Sequence, residues 1–167
     1  MSVKILRGQL TSAEQTHTLG KRLGERLQAG DVVCLYGALG AGKTTLTQGI
    51  AAGLGVATWV NSPTFIFVTE HEGRVPLYHV DAYRLPVNDR DAARDIGLEE
   101  LIGGAGVCVI EWAERVALLL PPERLDVRLE HTAEGRAATV EGFGERWVRL
   151  IEELSVSSGE QHTAQGG

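Results

Sequence analysis

The chain has 167 residues, about the length of one domain, and its 43% hydrophobic and 23% charged residues are ordinary for a soluble globular protein, which argues against a disordered or fibrous chain. Its 16 basic and 22 acidic residues give a formal net charge of -6, which opposes nonspecific binding to a phosphate backbone because that binding needs clustered lysine and arginine. The chain opens without an apolar core of signal-peptide length, and no run approaches the ~20 apolar residues of a membrane span, so we expect a cytosolic protein.

The first part of the chain predicts a strand, a helix and a second strand. Residues 3–6 form a short strand-like run, and Thr11 with Glu14 fits a capping box at the start of a helix that Gly30 ends. Residues 31–36 form a continuous apolar run, which is typical of a parallel strand covered on both faces.

Residues 37–45, with the sequence GALGAGKTT, fit the phosphate-binding pattern GxxxxGK[ST] at every fixed position. The pattern lies between the buried strand and a helical periodicity over residues 43–55, which is the context that such a loop requires. Glycines let successive backbone N–H groups point at one anion, Lys43 would span the β- and γ-phosphates, and the Thr44 hydroxyl would ligate Mg²⁺. The residues expected to contact the nucleotide here are Leu39, Gly40, Ala41, Gly42, Lys43, Thr44 and Thr45.

The remaining segments complete one domain. They predict two strands within residues 65–85 around a turn at 72–74, a polar helix at 88–102, a buried strand at 105–112, a hairpin at 124–143 and a helix at 144–154. The implied fold is a three-layer α/β domain of the P-loop NTPase type over residues 1–154, with a mixed sheet and antiparallel additions. The small, polar residues 155–167 predict a disordered C-terminal tail.

Cysteines and histidines do not suggest a metal centre. Cys34 and Cys108 lie inside apolar runs, where buried and inert thiols are expected rather than a disulfide or a metal pair. The five histidines are scattered without metal-ligand spacing, so surface or core positions are expected for them.

Two acids are candidates for completing a magnesium site, because such sites usually take an acid from the end of a neighbouring buried strand. Glu111 follows the buried run that precedes it, although an ordinary acid leaving a strand would look the same. Asp81 also follows a strand-like run, and three roles are open to it. It would anchor the metal through water, orient the attacking water, or pair structurally with Arg84.

Two classes of nucleotide-binding protein have sequence signatures that this chain lacks. A GTPase would need a guanine-reading NKxD-like segment, which this sequence lacks. An ABC-type ATPase would need an LSGGQ-like signature and a longer chain, and neither is present. The sequence therefore argues against both classes. Small-molecule kinases stay credible, and residues 88–97 would then form an arginine-bearing lid.

Four motifs, in this order and at these separations, closely resemble the bacterial TsaE (YjeE) family. They are GALGAGKTT at 37–45, SPTF at 62–65, HVDAYRL at 79–85 and VIEW at 109–112. The resemblance runs from about Thr11 to the hairpin near Arg136. It implies an ATPase that uses ATP and Mg²⁺ and works with the TsaB and TsaD proteins in forming threonylcarbamoyladenosine in tRNA.

The resemblance also implies roles for individual residues. Lys43 and Thr44 would serve phosphate and Mg²⁺, Glu111 would complete the Mg²⁺ site, and Asp81 would match the family's essential aspartate. Ala38 departs from the family, which usually has an acid after the first glycine. Because backbone N–H groups hold the phosphate, we expect binding to survive this change.

The resemblance also implies residues that respond to the nucleotide or contact a partner. Ser62, Pro63 and Thr64 would form a switch-like loop facing the γ-phosphate. Trp112 is either core filler or a residue that responds to nucleotide or contacts a partner, and Arg136 either lies near the nucleotide or is a solvated hairpin arginine. Slow hydrolysis would then act as a nucleotide switch on the TsaB–TsaD complex, which would carry the contact with tRNA. A small-molecule kinase and a non-hydrolysing nucleotide-gated adaptor are the alternatives.

Overall fold

Alternating strand and helix segments assemble around one sheet in the computed structural model, which describes residues 1–58, 60–61 and 67–163, the last seven of these by their backbone only. The strands are β1 (Val3–Leu10), β2 (Val32–Tyr36), β3 (Val68–His71), β4 (Leu77–Asp81), β5 (Val107–Glu111), β6 (Arg124–Thr132) and β7 (Gly135–Phe143). The helices are α1 (Ala13–Gly24), α2 (Lys43–Gly53), α3 (Arg90–Asp95), α4 (Leu98–Leu101) and α5 (Glu145–Thr163), with a 3₁₀ helix at Ala113–Leu119.

The sheet is mixed, with the strand order β1-β7-β6-β2-β5-β4-β3. Its centre is parallel, because β2 pairs in parallel with β5 and β6, and β4 pairs in parallel with β5. The pairs β1/β7, β6/β7 and β3/β4 are antiparallel. The predicted mixed sheet with antiparallel additions is therefore confirmed. The carboxyl ends of β2, β4 and β5 meet at one edge, which is where open α/β sheets bind ligands.

Helices cover both faces of the central strands, which confirms the three-layer arrangement. One core cluster joins α1, α2 and α5 to the sheet and includes Leu23, Ile50 and Ile151. A second core cluster, which includes Leu98 and Ile110, lies under α3, α4 and the 3₁₀ helix. Covering both faces explains why β2 and β5 are buried along their whole length and read as continuous apolar runs.

Helices α1 and α2 pack with their backbones in contact through facing glycines. A Cβ atom built on Gly49 would lie 2.1 Å from the carbonyl oxygen of His17, and one built on Gly20 would lie 2.3 Å from that of Leu46. Gly24 and Gly53 extend the same contact. Side chains at these positions would force the helices apart, so the glycines bring the start of α1 close to the start of α2.

The first helix differs from its predicted limits at both ends. Its N-cap is Ser12, whose hydroxyl accepts a 3.1 Å hydrogen bond from the backbone N–H of Gln15, so the predicted box of Thr11 and Glu14 is wrong by one residue. The helix ends at Gly24 rather than at Gly30. The helical spacing of leucines continues past the end of α1 because Leu27, which lies in the turn after the helix, is also buried in the core.

The later helices also differ from the sequence expectations. The predicted helix at 88–102 divides into α3 and α4 around Gly97, whose φ of 76° is left-handed. Helix α5 continues past Leu154, and the domain boundary there and the disordered tail stay predictions. Within the described residues, no helix combines the length and the apolar composition needed to cross a lipid bilayer.

Candidate functional site

The glycine loop, residues 37–42, connects β2 to α2 at the carboxyl edge of the sheet. Gly40 and Gly42 have φ values of 76° and 108°, which L side chains rarely adopt, and Gly42 is the N-cap of α2. A Cβ on Gly42 would have room, since its nearest neighbour is a Thr16 methyl carbon at 3.6 Å. The backbone conformation, not the space, therefore requires glycine there. This loop presents the amino end of α2, where backbone N–H groups and the helix dipole favour an anion.

A cavity of about 460 Å³ opens above this loop. The seven loop and helix residues expected to contact a nucleotide all line it, together with Asp81, Glu111 and Trp112 from neighbouring strand ends. The structure thus brings together residues that the sequence singled out separately. Tyr83 also lines the cavity, although the sequence did not identify it.

Lys43 is buried at the floor of the cavity. Its ammonium donates to the carbonyl oxygens of Gly37 and, at 3.2 Å, of Ala38. It also lies 3.9 Å from the ring centroid of Trp112, within the range of a cation–π interaction. The loop carbonyls and the indole thus hold the Lys43 ammonium against the glycine loop.

Burial is the largest influence on the charge of this lysine and lowers the pKa of the Lys43 ammonium below its ordinary value. The carboxylates of Glu111, Glu114 and Asp81 act in the opposite direction and favour the charged form. Partial desolvation strengthens the attraction between the Lys43 ammonium and a phosphate, because electrostatic interactions strengthen as water is excluded. The neighbouring carboxylates repel the phosphate unless a divalent cation offsets their charge.

Glu111 ends β5 and is buried, and both of its carboxylate oxygens have partners. Oε1 accepts a 3.3 Å hydrogen bond from the Thr44 hydroxyl in the first turn of α2. Oε2 pairs with Nε2 of His79 in β4. The carboxylate therefore connects two neighbouring elements of the fold and is not an ordinary acid leaving a strand.

The oxygens of Thr44 and Glu111 fit a magnesium ion. Mg²⁺ takes oxygen ligands in octahedral geometry at about 2.0–2.1 Å, which places adjacent ligands about 2.9 Å apart. The observed separation of 3.3 Å is close to that value. In the part of the chain that the structure describes, no group of three or more His, Cys, Asp or Glu side chains could hold a metal. A site with few protein ligands suits Mg²⁺, which is commonly shared with substrate phosphates and water.

Asp81 lies beside Glu111 because β4 and β5 pair in parallel with these two residues in register. Asp81 is buried, lines the cavity, and accepts a 2.9 Å hydrogen bond from the backbone N–H of Tyr83. Two carboxylates from adjacent strands therefore face the same cavity as the glycine loop.

Trp112 directly follows Glu111 and has a left-handed φ of 57°, which is uncommon for an aromatic residue. It packs against the second core cluster and also lines the cavity, and its role in nucleotide response or partner contact stays a prediction. Its ring centroid lies 4.9 Å from that of Tyr83, and the Arg115 guanidinium lies 5.7 Å from the Tyr83 centroid. These aromatic rings extend from Lys43 toward the surface, where Tyr83 is exposed.

Arg136 lies against the outer side of the glycine loop. Its guanidinium donates 3.1 Å hydrogen bonds to the carbonyl oxygens of Ala41 and Gly40, so it is not a solvated hairpin arginine. A second cavity of about 190 Å³ is lined by Arg136, the start of α1 and the loop. Ser12 and Thr16 also line this second cavity, and neither was predicted from the sequence as a site residue.

Two further sequence predictions have different outcomes. Ser62, Pro63 and Thr64 lie outside the described residues, so their role as a switch-like loop stays a prediction. Cys34 and Cys108 are free, buried thiols, as expected.

The chain is similar to known proteins of one family. The family model described as "Threonylcarbamoyl adenosine biosynthesis protein TsaE" matches residues 10–138. The chain is 41% identical over 155 residues to the tRNA threonylcarbamoyladenosine biosynthesis protein TsaE of Bacillus subtilis (strain 168), covering 92% of this chain and 96% of that protein. It is 45% identical over 124 residues to the protein of the same name from Treponema pallidum (strain Nichols), covering 74% and 90%.

A solved structure is similar along nearly the whole chain. The crystal structure of Bacillus subtilis YdiB superposes with a TM-score of 0.80 at 36% sequence identity, covering 95% of this chain and 99% of that one. This similarity confirms the predicted P-loop NTPase-like fold class.

Proposed function

The chain belongs to the TsaE family of threonylcarbamoyl adenosine biosynthesis proteins, and on this basis we propose that it binds and hydrolyses Mg-ATP within the machinery that forms threonylcarbamoyladenosine in tRNA. Membership of the family places the chain in that biosynthesis and in a nucleotide-binding fold class. The observation that carries the finer proposal is the meeting of the glycine loop, Lys43, Thr44 and Glu111 in one cavity.

The loop supplies two kinds of attraction for the triphosphate. Its backbone N–H groups at the start of α2 bind phosphate oxygens, and Lys43 neutralises their charge. For this, the Lys43 ammonium exchanges its contacts with the Gly37 and Ala38 carbonyls for phosphate oxygens. Ala38 contributes only backbone groups to the described contacts, so its side chain is compatible with this role.

Thr44 and Glu111 would hold Mg²⁺, which when bound supplies positive charge to the phosphates and fixes their orientation. We assign the orientation of the attacking water to Asp81. Asp81 faces the same cavity as the glycine loop from β4, in register with Glu111 of β5. The Asp81 carboxylate would accept a hydrogen bond from the attacking water, and Lys43 and the loop amides would stabilise the developing charge.

The nucleoside part of ATP would occupy the second cavity. Gly40, Ala41, Gly42 and Thr45 line both cavities, so one extended ligand bound to the loop can reach them both. Arg136 forms one wall of the second cavity and holds the loop carbonyls through its guanidinium. On this proposal Arg136 would lie beside the nucleotide.

Hydrolysis would act as a switch on the TsaB–TsaD complex, with tRNA reached through that complex. The contacts that support this run from Lys43 through Trp112 to the exposed Tyr83, which Arg115 contacts in turn. Removing the γ-phosphate changes what surrounds Lys43, and this row of contacts provides a route to a partner surface. A kinase lid has no such support, because Arg90 and Arg94 are absent from the described lining of the cavity.

The test combines phosphate release with a pull-down in which TsaB and TsaD are offered to the chain with ATP, ADP or no nucleotide. We expect hydrolysis to rise when the partners are added, retention to differ between ATP and ADP, and Lys43→Ala to abolish both effects. Lys21→Ala, at an exposed lysine of α1, is the matched control and should behave as the wild type. A hydrolysis rate indifferent to both partners, with intact tRNA modification by the Lys43→Ala chain, contradicts the proposal.

The two alternative functions give different results in the same assays. A small-molecule kinase would transfer labelled phosphate from ATP to a metabolite instead of releasing it. A non-hydrolysing adaptor would show nucleotide-dependent retention of TsaB and TsaD with no phosphate release.

A further inference from the structure

His79 is a fully buried, polar residue of β4 whose side chain hydrogen-bonds with Glu111. An ionised carboxylate can only accept a hydrogen bond, so Nε2 of His79 carries the hydrogen and donates it to Oε2 of Glu111. The other ring nitrogen, Nδ1, is buried and has no hydrogen-bond partner among the described residues. The hydrogen-bonding capacity of the ring is therefore directed at Glu111.

A buried imidazole with an unpartnered nitrogen destabilises the interior of a strand. A buried polar atom without a partner destabilises the fold, whereas an aliphatic side chain would fill the same space without that cost. On the same face, Leu77 in its own strand and Val109 opposite it in β5 are aliphatic, whereas Asp81 in its own strand and Thr69 opposite it in β3 are polar. Core packing alone therefore does not account for an imidazole here. The compensating interaction is the charge-assisted hydrogen bond to Glu111.

The strand register explains how this contact arises. His79 lies opposite Val109 and Asp81 lies opposite Glu111, so the two β4 side chains are on one face of the sheet with Glu111. This face carries the core cluster that contains residues of α2. Glu111 is consequently held from two directions. His79 contacts Oε2 from within the sheet, and Thr44 contacts Oε1 from the first turn of α2.

We propose that His79 is a positioning residue that fixes the Glu111 carboxylate with Oε1 directed at Thr44, in the orientation that binds Mg²⁺ together with the nucleotide. The inference rests on the proposed function, because it concerns the metal that Glu111 would hold. His79 itself touches neither the metal nor the nucleotide in this arrangement. It acts through the carboxylate, in the manner of the hydrogen-bonding partners that orient metal ligands in other proteins.

The experiment measures how strongly Mg²⁺ and nucleotide binding are coupled. Titration calorimetry gives the ATP affinity once in EDTA and once in excess Mg²⁺, and the ratio of the two affinities is the coupling. Three variants separate hydrogen bonding from packing. His79→Gln places an amide N–H near the position of Nε2, His79→Asn keeps a polar group that is too short to reach Glu111, and His79→Leu removes the donor.

We expect His79→Asn and His79→Leu to reduce the coupling about 10–100-fold, the usual effect of losing a partner of a metal ligand, while the ATP affinity in EDTA is unchanged. His79→Gln should recover most of the coupling. Val109→Ala is the control for core damage, because Val109 lies opposite His79 in the same core cluster. It should lower the thermal midpoint and leave the coupling unchanged.

Each result decides the proposal. If His79→Leu does not fold, the test depends on whether His79→Gln retains a stronger coupling between Mg²⁺ and ATP binding than His79→Asn. Wild-type coupling in His79→Asn overturns the inference, as does an equal loss in the Gln and Asn variants. A wild-type protein whose ATP affinity is the same in EDTA and Mg²⁺ overturns the proposed function itself, and with it the premise of this inference, so the two failures are told apart by the wild-type measurement.

Discussion

The hydroxyl of Thr44 and Oε1 of Glu111 lie 3.3 Å apart, joining the first turn of α2 to the end of β5 across 67 residues of chain. This contact places a hydroxyl and a carboxylate oxygen at nearly the spacing that an octahedral Mg²⁺ requires. The pair also lies at the carboxyl edge of the sheet, within the same cavity as Lys43. The first prediction follows from this relationship.

Changing Glu111→Gln should remove the magnesium dependence of nucleotide binding and reduce phosphate release to background. The amide keeps the shape of the side chain but lacks the negative charge that attracts the cation. Glu114→Gln is the matched control, because Glu114 also acts on the charge of Lys43 but is exposed on the 3₁₀ helix. Calorimetry with and without Mg²⁺ and a phosphate-release assay measure the effect. Equal behaviour of the two variants would contradict the assignment.

Arg136→Ala should weaken ATP binding about 10–100-fold, since hydrogen bonds to charged groups contribute about 1.5–3 kcal/mol and each 1.4 kcal/mol is a factor of ten. The change removes the donors that hold the Gly40 and Ala41 carbonyls. Arg128→Ala provides a control, because Arg128 is exposed on the neighbouring strand and contacts Tyr36 instead of the loop. A binding curve for Arg136→Ala that overlays the wild type would show that the loop does not need this arginine.

Gly49→Ala should destabilise the fold by about 1–3 kcal/mol, the usual cost of overpacking a filled core. The added methyl would meet the His17 carbonyl oxygen at 2.1 Å, a contact that only a shift of α1 can relieve. For a domain of this size the thermal midpoint should fall by about 2–4 °C per kcal/mol. Gly8→Ala is the control, because a Cβ there meets nothing within 4 Å. Identical thermal midpoints for the two variants would show that α1 and α2 can move apart without a loss of stability.

The two cysteines should resist alkylation in the folded protein. Burial raises the pKa of Cys108 to about 12 and raises the pKa of Cys34 well above its ordinary value, so neither thiol ionises near neutral pH. Because the pKa of each thiol is higher in the folded chain than in the unfolded chain, the protonated thiols stabilise the folded chain at pH values below the unfolded pKa. This stabilisation is lost as the pH rises from about 9 toward the pKa of the folded state. Labelling with a thiol reagent, followed by mass spectrometry with and without denaturant, checks the prediction. Rapid labelling of the native chain would refute it.

The sequence by itself determined the elements whose signals are local. The glycine loop of residues 37–45 needs particular residues at fixed spacing, so its pattern was recognisable before any contact was known. The buried runs that became β2 and β5 were identifiable because strands covered on both faces must be apolar throughout. Helix ends were less well determined, as Ser12 and Gly24 show, because caps depend on side-chain hydrogen bonds and a buried leucine need not be helical.

Only the tertiary structure decided which of these residues meet. The register of β4 on β5 places Asp81 beside Glu111 and brings His79 beneath that carboxylate. The strand order brings the hairpin to the loop, so that Arg136 reaches carbonyl groups 95 and 96 residues earlier in the chain. Such contacts leave no periodic trace in the sequence, since local patterns record backbone conformation and burial. Pairing between distant segments depends on how the whole sheet assembles.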